Sequence, residues 1–174
     1  AVYTKASSKT YTVTFKNNYG NVLSTKSDYK YRDSVIIPDT EPTKNPDDVY
    51  TYEFIGWAKD IGTNFYAVDE NNMDENGAVI AYTHKDGAEF FVKGDASYVP
   101  VFRMIPIEYS VTYNYTVDGG TTDSVVVDGF NWDNNPTMPE IKDNYTAGGY
   151  RYSIVGWTVG EDTEVKQLDQ ILVK

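Results

Sequence analysis

The chain has 174 residues, a formal net charge of −11, a sequence pI near 4.4 and no cysteine. The acidity disfavours nucleic acid and anionic membrane surfaces as partners, because proteins bind both through Lys and Arg. The lack of thiols excludes disulfides, Cys-based zinc sites and thiol catalysis. The 16 Tyr, 7 Phe and 3 Trp supply large rings, either for small hydrophobic cores or for contact surfaces.

No stretch of the sequence is long and apolar enough to span a bilayer, so we expect no membrane insertion. The first residues, Ala1–Thr4, do not form a signal peptide, and the sequence does not begin with Met. We therefore expect a segment of a larger multidomain protein, with targeting signals outside it.

The first predicted element is a strand at Tyr11–Phe15, where Thr alternates with apolar residues. Period-two alternation of this kind is typical of a half-buried strand. Asn17–Asn21 has the composition of a turn, and Val22–Thr25 is the predicted return strand. This part of the sequence therefore predicts a β-hairpin.

A connection with three prolines follows, and then a predicted strand that ends in Gly56 and Trp57. An insertion at about 58–96 contains the polar run 69–77, and Ser97–Phe102 is a predicted closing strand. No window shows helical periodicity of useful length. The first hundred residues therefore predict a β-rich lobe.

The same order of elements then recurs: an alternating strand at Tyr109–Tyr113, a glycine turn, a return strand at Thr122–Val127 and a strand ending in Gly156 and Trp157. Such a duplication decides the fold class, because each copy is one structural unit. We predict an all-β protein of two tandem lobes, 1–104 and 105–174. The short connection between them predicts lobes packed side by side.

Lobe 2 has no evident counterpart of the closing strand. Three segments could complete it: Gln167–Val173, the N-terminal Val2–Thr4, or residues outside this sequence.

The repeated pattern resembles the Listeria–Bacteroides repeat, the B-repeat of internalin-type and other surface proteins of Gram-positive bacteria. The matching residues of the first copy are Tyr11–Phe15, Asp33–Val35, Pro38, Tyr52, Phe54, Gly56, Trp57 and Tyr98–Phe102. The second copy matches more weakly, at Tyr109–Tyr113, Pro139 and Tyr152–Trp157. The resemblance implies β-grasp-like lobes, a secreted or cell-surface location and no enzymatic activity. The long insertion and the missing closing strand depart from the family pattern.

As a two-lobe unit, the chain also looks like the bilobed starch-binding domain of starch-adherence proteins in gut bacteria. This resemblance rests on architecture and aromatic content rather than on a diagnostic motif. It implies an α-1,4-glucan as the ligand.

Aromatic rings bind sugars because a pyranose presents a face of C–H groups that packs on the π surface. Trp132 lies among polar turn-forming residues and is the first candidate, with Asn131 and Asn134 as hydrogen-bonding partners. The further candidates are Tyr66, Tyr145, Tyr150, Trp57 and Trp157. For the two Gly-Trp positions, the sequence favours a structural role, in which glycine permits close backbone approach while Trp covers the core of its lobe, and a stacking platform at the lobe edge is the alternative.

Other chemistries find little support in the sequence. Asn72, Asp74, Asn76 and Gly77 match part of an EF-hand loop, but Thr83 stands where a bidentate carboxylate is required. We therefore predict a solvated acidic loop and no metal or cofactor. The single histidine, His84, forms no cluster, and no catalytic motif is present, so we predict no catalytic residues and no enzyme.

Together these observations predict a noncatalytic module that binds polysaccharide, an α-1,4-glucan first of all, in a groove between the two lobes. The alternative is a cell-surface adhesin or spacer repeat that binds protein through exposed strand edges. A third possibility is a structural domain stabilised by calcium.

Overall fold

All regular structure in the described part of the chain is β-strand, which confirms the all-β prediction. The computed structural model describes residues 9–84, 90–117, 121–134, 136–137, 140–141, 144–161 and 164. The β-grasp detail stays a prediction. Among these residues no helix is long and apolar enough to cross a membrane.

The chain divides into two compact units, Ala1–Ile105 and Pro106–Lys174. The sequence predicts this boundary between residues 104 and 105. The strands of unit 1 are β1 (Tyr11–Lys16), β2 (Val22–Tyr29), β3 (Tyr50–Lys59), β4 (Tyr66–Val68), β5 (Thr83–His84) and β6 (Ala96–Pro106). Those of unit 2 are β7 (Tyr109–Thr116), β8 (Thr122–Phe130), β9 (Asn144–Ala147) and β10 (Tyr150–Ser153).

The described strands of unit 1 form one six-stranded sheet in the order β2-β1-β6-β3-β5, with β4 also paired to β6. Strand β6 is its central element: it runs parallel to β1, with Val13 opposite Ala96 and Phe15 opposite Tyr98. The predicted return strand is too short, because β2 continues to Tyr29. Most of β2 is exposed at the sheet edge, so its outer half carries no apolar alternation that a sequence pattern could detect.

Aromatic rings occupy the centre of the larger buried cluster of unit 1. Trp57 meets Phe15 edge-to-face at 4.8 Å between ring centroids and Phe54 at 5.3 Å. Phe102 of β6 packs on Phe54 from the neighbouring strand. These rings form one buried cluster, and each large ring removes a large apolar area from water.

An ion pair joins the end of β1 to the loop after β3. Lys16 Nζ lies 2.7 Å from Asp60 Oδ2, and the Asp60 side chain is almost fully buried. The Asp60 carboxylate also accepts a hydrogen bond from the Gly62 N–H. The Lys16 hydrogen bond, followed by that of Gly62, lowers the pKa of Asp60 below its ordinary value.

We expect this pair to make unit 1 less stable in acid. Because the folded-state pKa of Asp60 is depressed, its stabilisation is complete above the unfolded-state pKa of about 3.9 and is lost as the pH falls through the folded-state value. At pH 7, Asp60→Asn should cost about 1–3 kcal/mol of unfolding free energy. Urea unfolding of both proteins between pH 7 and pH 2 should show the difference shrinking below pH 4. A difference that stays constant across this range would contradict the assignment.

Unit 2 repeats the structure of unit 1 in its opening hairpin. Strands β7 and β8 pair antiparallel, with Tyr109 opposite Phe130 and a register shift before Val111. In unit 1, Tyr11 is opposite Tyr29, with the same kind of shift before Val13. A bulge at the same repeat position in both hairpins is a structural sign of the duplication.

The ring pair of the core is repeated as well. Tyr113 and Trp157 meet edge-to-face at 5.4 Å and 77°, as Phe15 and Trp57 do at 4.8 Å and 73°. The described strands of unit 2, however, form two separate two-stranded sheets, β7-β8 and β9-β10. The predicted completions by Val2–Thr4 and by Gln167–Val173 lie outside the described residues.

Candidate functional site

Trp132 lies at the tip of a tight turn that follows β8. Asn131 and Asn134 form an isolated antiparallel bridge, and each backbone N–H donates to the other's carbonyl oxygen. Inside this turn, Asn131 Oδ1 accepts a hydrogen bond from the Asp133 N–H, and Asn134 Nδ2 donates to the Gly129 carbonyl. The turn therefore presents the Trp132 ring to solvent, with 71% of the residue exposed.

Asn131 and Asn134 therefore have a structural role in the turn, which their positions in the sequence do not reveal. Both were predicted to bond a ligand, and the structure uses one polar atom of each amide to shape the turn. Hydrogen bonds from Asn side chains to nearby backbone groups stabilise short turns.

A second group of rings lies on one face of the β9-β10 hairpin. Tyr152 is opposite Tyr145, and Tyr150 is opposite Ala147, so the three Tyr side chains project from the same face. Gly148 and Gly149 both have positive φ, which the tight turn between these strands requires. We call Tyr145, Tyr150 and Tyr152 the tyrosine stripe.

In the tyrosine stripe, two rings stack on each other and the third is exposed. Tyr145 and Tyr152 stack with their planes 11° apart and their centroids 4.8 Å apart. Tyr150 is 71% exposed, and neighbouring positions on one face of a strand lie about 7 Å apart. Tyr152 of the tyrosine stripe is not among the predicted ligand residues. Its period-two spacing from Tyr150 was the signal that could have found it.

Trp57 is wrong as a predicted ligand residue. Only 2% of it is exposed, and Phe15 and Phe54 cover its ring edge-to-face. A ring enclosed in this way has no face left for a sugar. The structural role that the sequence favours for this position is confirmed, because Gly56 allows the backbone of Thr83 to approach while Trp57 fills the core.

The other two predicted aromatics are partly buried. Tyr66 lies in β4 and packs against the buried cluster that contains Ile55 and Val68. Trp157 packs edge-to-face on Tyr113 and lines a groove of unit 2. Of the predicted residues, the structure therefore brings together Tyr145 and Tyr150, places Trp132 on a separate turn, and puts Tyr66 in the other unit.

The acidic loop of unit 1 uses its carboxylates internally. Asp69 Oδ1 accepts hydrogen bonds from the N–H groups of Asn71 and Met73, and Asp74 Oδ1 accepts two in the same way, five residues further on. The described residues contain no group of three or more His, Cys, Asp or Glu side chains placed to hold a metal ion.

Comparison with known proteins adds no family to this picture. No family model matches the chain, and neither a curated protein nor a solved structure matches it.

Proposed function

We propose that this chain is a noncatalytic carbohydrate-binding module whose ligand is a neutral polysaccharide, with an α-1,4-glucan as the first to test. The observation that carries the proposal is the exposure of flat aromatic rings on unit 2, namely Trp132 and, in the tyrosine stripe, Tyr150 and Tyr152. Both surfaces belong to one unit, so the proposal does not depend on the expected groove between the lobes.

Exposed rings on fixed supports are well suited to sugar binding. Trp and Tyr offer a large contact area with few rotatable bonds, so little side-chain entropy is lost when a ligand stacks on them. The hairpin holds the tyrosine stripe, and the hydrogen-bonded turn holds Trp132. Each support keeps its ring in place before the ligand arrives, which lowers the ordering cost of binding.

The charge of the chain narrows the class of polysaccharide. A net charge of −11 repels polyanionic glycans over several ångströms at physiological salt, whereas a neutral glucan is unaffected. The choice of α-1,4-linked glucose follows from the resemblance to bilobed starch-binding domains.

Affinity electrophoresis tests the proposal. The chain should be retarded in native gels containing amylopectin and should run normally in gels containing xylan or no polysaccharide. Trp132→Ala and Tyr150→Ala should each weaken amylopectin binding about tenfold, because each removes one stacking ring. The double variant should lose retardation altogether.

The matched control is Tyr19→Ala, because Tyr19 is an equally exposed tyrosine (65%) on a turn of unit 1. It should bind amylopectin like the parent chain. Equal retardation of Tyr19→Ala and of the double variant would exclude these two rings as the binding surface. Normal migration of the parent chain in every gel would refute the proposed function.

A further inference from the structure

The acidic loop of unit 1 folds the same five-residue turn twice in succession, at 69–73 and 74–78. The two segments have nearly the same sequence, Asp-Glu-Asn-Asn-Met and then Asp-Glu-Asn-Gly-Ala. In each, the first residue donates its N–H to the carbonyl of the fifth residue, and its own carbonyl accepts the N–H of the fourth. The fourth residue has positive φ in both, 62° at Asn72 and 74° at Gly77. We call these segments the first turn and the second turn.

The two turns differ in the residue that follows their central asparagine. Asn71 is followed by Asn72, whereas Asn76 is followed by Gly77. Asparagine is chemically labile through its side-chain amide, which the backbone nitrogen of the next residue can attack. Glycine has no side chain to hinder this attack, and a Cβ built on Gly77 would meet nothing within 4 Å. The second turn therefore offers the more accessible nucleophile.

The first turn is anchored to the fold at its fourth residue. Asn72 Oδ1 accepts a hydrogen bond from the Tyr82 hydroxyl at 3.0 Å, and the Asn72 carbonyl accepts the Ile80 N–H at 2.9 Å. Tyr82 and Ile80 both pack against the buried cluster that contains Val68. Residues 75–79, by contrast, are all exposed. Local opening of an exposed turn costs less free energy than opening of a segment tied to a core, so the second turn is the one that opens more readily.

We propose that Asn76 is a site of spontaneous deamidation, with water as the co-reactant and aspartate and isoaspartate as the products. The Gly77 nitrogen bonds to Cγ of Asn76, the Cγ–Nδ2 bond breaks, and the amide nitrogen leaves as ammonia with the proton of the Gly77 N–H. The cyclic imide then takes up one water molecule. Water that adds at Cγ gives aspartate, and water that adds at the main-chain carbonyl carbon gives isoaspartate.

The hydrogen bonds of the second turn control the rate of this reaction. The Gly77 N–H donates to the Asp74 carbonyl at 2.8 Å, and the Asn76 N–H donates to Asp74 Oδ1 at 2.9 Å. The Gly77 nitrogen attacks only after its N–H is released, so the reaction proceeds from the opened turn. A net hydrogen bond of about 1 kcal/mol therefore makes the folded chain react more slowly than an unstructured peptide.

Isoaspartate at position 76 changes the backbone of the loop, because it adds one methylene group to the main chain. The Ala78 N–H then loses its position on Asp74 Oδ1, and the bridge between Met73 and Val79 is broken. Both products also add a carboxylate to a chain whose net charge is already −11. The modification therefore loosens this loop and makes the chain more acidic.

Peptide mapping of the full chain after incubation at mildly alkaline pH tests the proposal. Conversion of an amide to a carboxyl raises the mass of a peptide, and isoaspartyl peptides elute apart from aspartyl ones. Asn76 should react at least about tenfold faster than Asn71, which corresponds to a barrier lower by ~1.4 kcal/mol. Asn71 lies in the same chain and in the same kind of turn, so it serves as the internal control. A synthetic peptide of residues 69–78 should react at Asn76 at least about threefold faster than the folded chain.

Two variants exchange the residues that follow the asparagines. Gly77→Ala places a side chain beside the attacking nitrogen and should slow the reaction of Asn76 about tenfold or more. Asn72→Gly gives the first turn the same Asn-Gly pair, at a position whose positive φ suits glycine, and should speed the reaction of Asn71 about tenfold. NMR amide shifts of unit 1 check that both variants fold. If Gly77→Ala disturbs the second turn, Asn72→Gly decides the question alone.

Equal rates at Asn71 and Asn76 would overturn this inference, and so would an unchanged rate at Asn71 in Asn72→Gly. A folded chain that reacts as fast as the synthetic peptide would refute the control by the hydrogen bond to Asp74. The site lies in unit 1, so the deamidated chain should keep its retardation in amylopectin relative to xylan. Failure of the proposed function would leave this inference untouched, because none of these rates depends on a ligand.

Discussion

Replacing Gly56 with alanine should destabilise unit 1 by about 3 kcal/mol or more, the largest effect we expect from any single methyl group in this chain. The new Cβ would lie 2.0 Å from the Thr83 carbonyl oxygen and 2.9 Å from Tyr82 Cδ2. Gly56 also has φ +154°, a conformation that L side chains rarely adopt. Strand β5 must therefore move away from β3, where Gly56 is paired with His84.

Chemical and thermal denaturation measure the lost unfolding free energy, and hydrogen exchange shows which strands lose protection. The midpoint of thermal unfolding of unit 1 should fall by ~10 °C or more, and the β5 amides should lose protection first. Gly94→Ala is the matched control, since a Cβ at that position meets nothing within 4 Å. It should leave the stability within about 0.5 kcal/mol of the parent chain. Equal stability of the two variants would mean that Gly56 is not needed for the approach of β5.

Trp57→Ala should cost about 3–5 kcal/mol, whereas Trp157→Ala should cost less than about 2 kcal/mol. The two residues are repeat equivalents, and each packs edge-to-face on the ring from its opening strand. Trp57 is almost fully buried, so its removal leaves a cavity that the surrounding rings cannot fill. Trp157 lines the open groove of unit 2, so water can enter the space left behind.

Urea unfolding followed by NMR amide signals separates the two effects, because signals of β1 and β7 report on different units. Trp57→Phe serves as the conservative control and should recover part of the loss, because a phenyl ring keeps the contact with Phe15 and Phe54. Equal losses for Trp57→Ala and Trp157→Ala would contradict the difference in enclosure between the two units.

Local patterns predict the hairpins of both units well. The alternation at Tyr11–Phe15 and Tyr109–Tyr113 locates β1 and β7, and Asn17–Asn21 locates the turn between β1 and β2. The predicted glycine turn of the second copy, at 118–120, lies outside the described residues. Strand alternation and turn composition both depend on a few neighbouring residues, so a single sequence is enough to predict a hairpin. The outer half of β2 shows the limit: Tyr29 pairs across the bulge with Tyr11, and its polar neighbours give no pattern.

The candidate ligand surface was predicted in part. Trp132 stands out in the sequence because its neighbours form a polar turn, and it is exposed in the structure. Tyr145 and Tyr150 flank a glycine pair, which the structure shows to be the turn of β9-β10. Tyr152 was not predicted as a ligand residue, because it belongs to the repeated pattern that ends in Gly-Trp and its position therefore indicated a role in the fold. The glucan-binding role itself stays a prediction.

The sequence by itself determined the duplication, the β class and the position of each Gly-Trp pair, because these depend on short motifs and their order. Only the tertiary structure decided which tryptophan is enclosed. Trp57 and Trp157 each follow a glycine, and each packs on a ring from the equivalent position of its opening strand. Trp57 is nevertheless enclosed in a core completed by β6, which begins some 40 residues after it. Burial is a property of all the chain segments that meet at one place, so the residues beside a tryptophan cannot specify it.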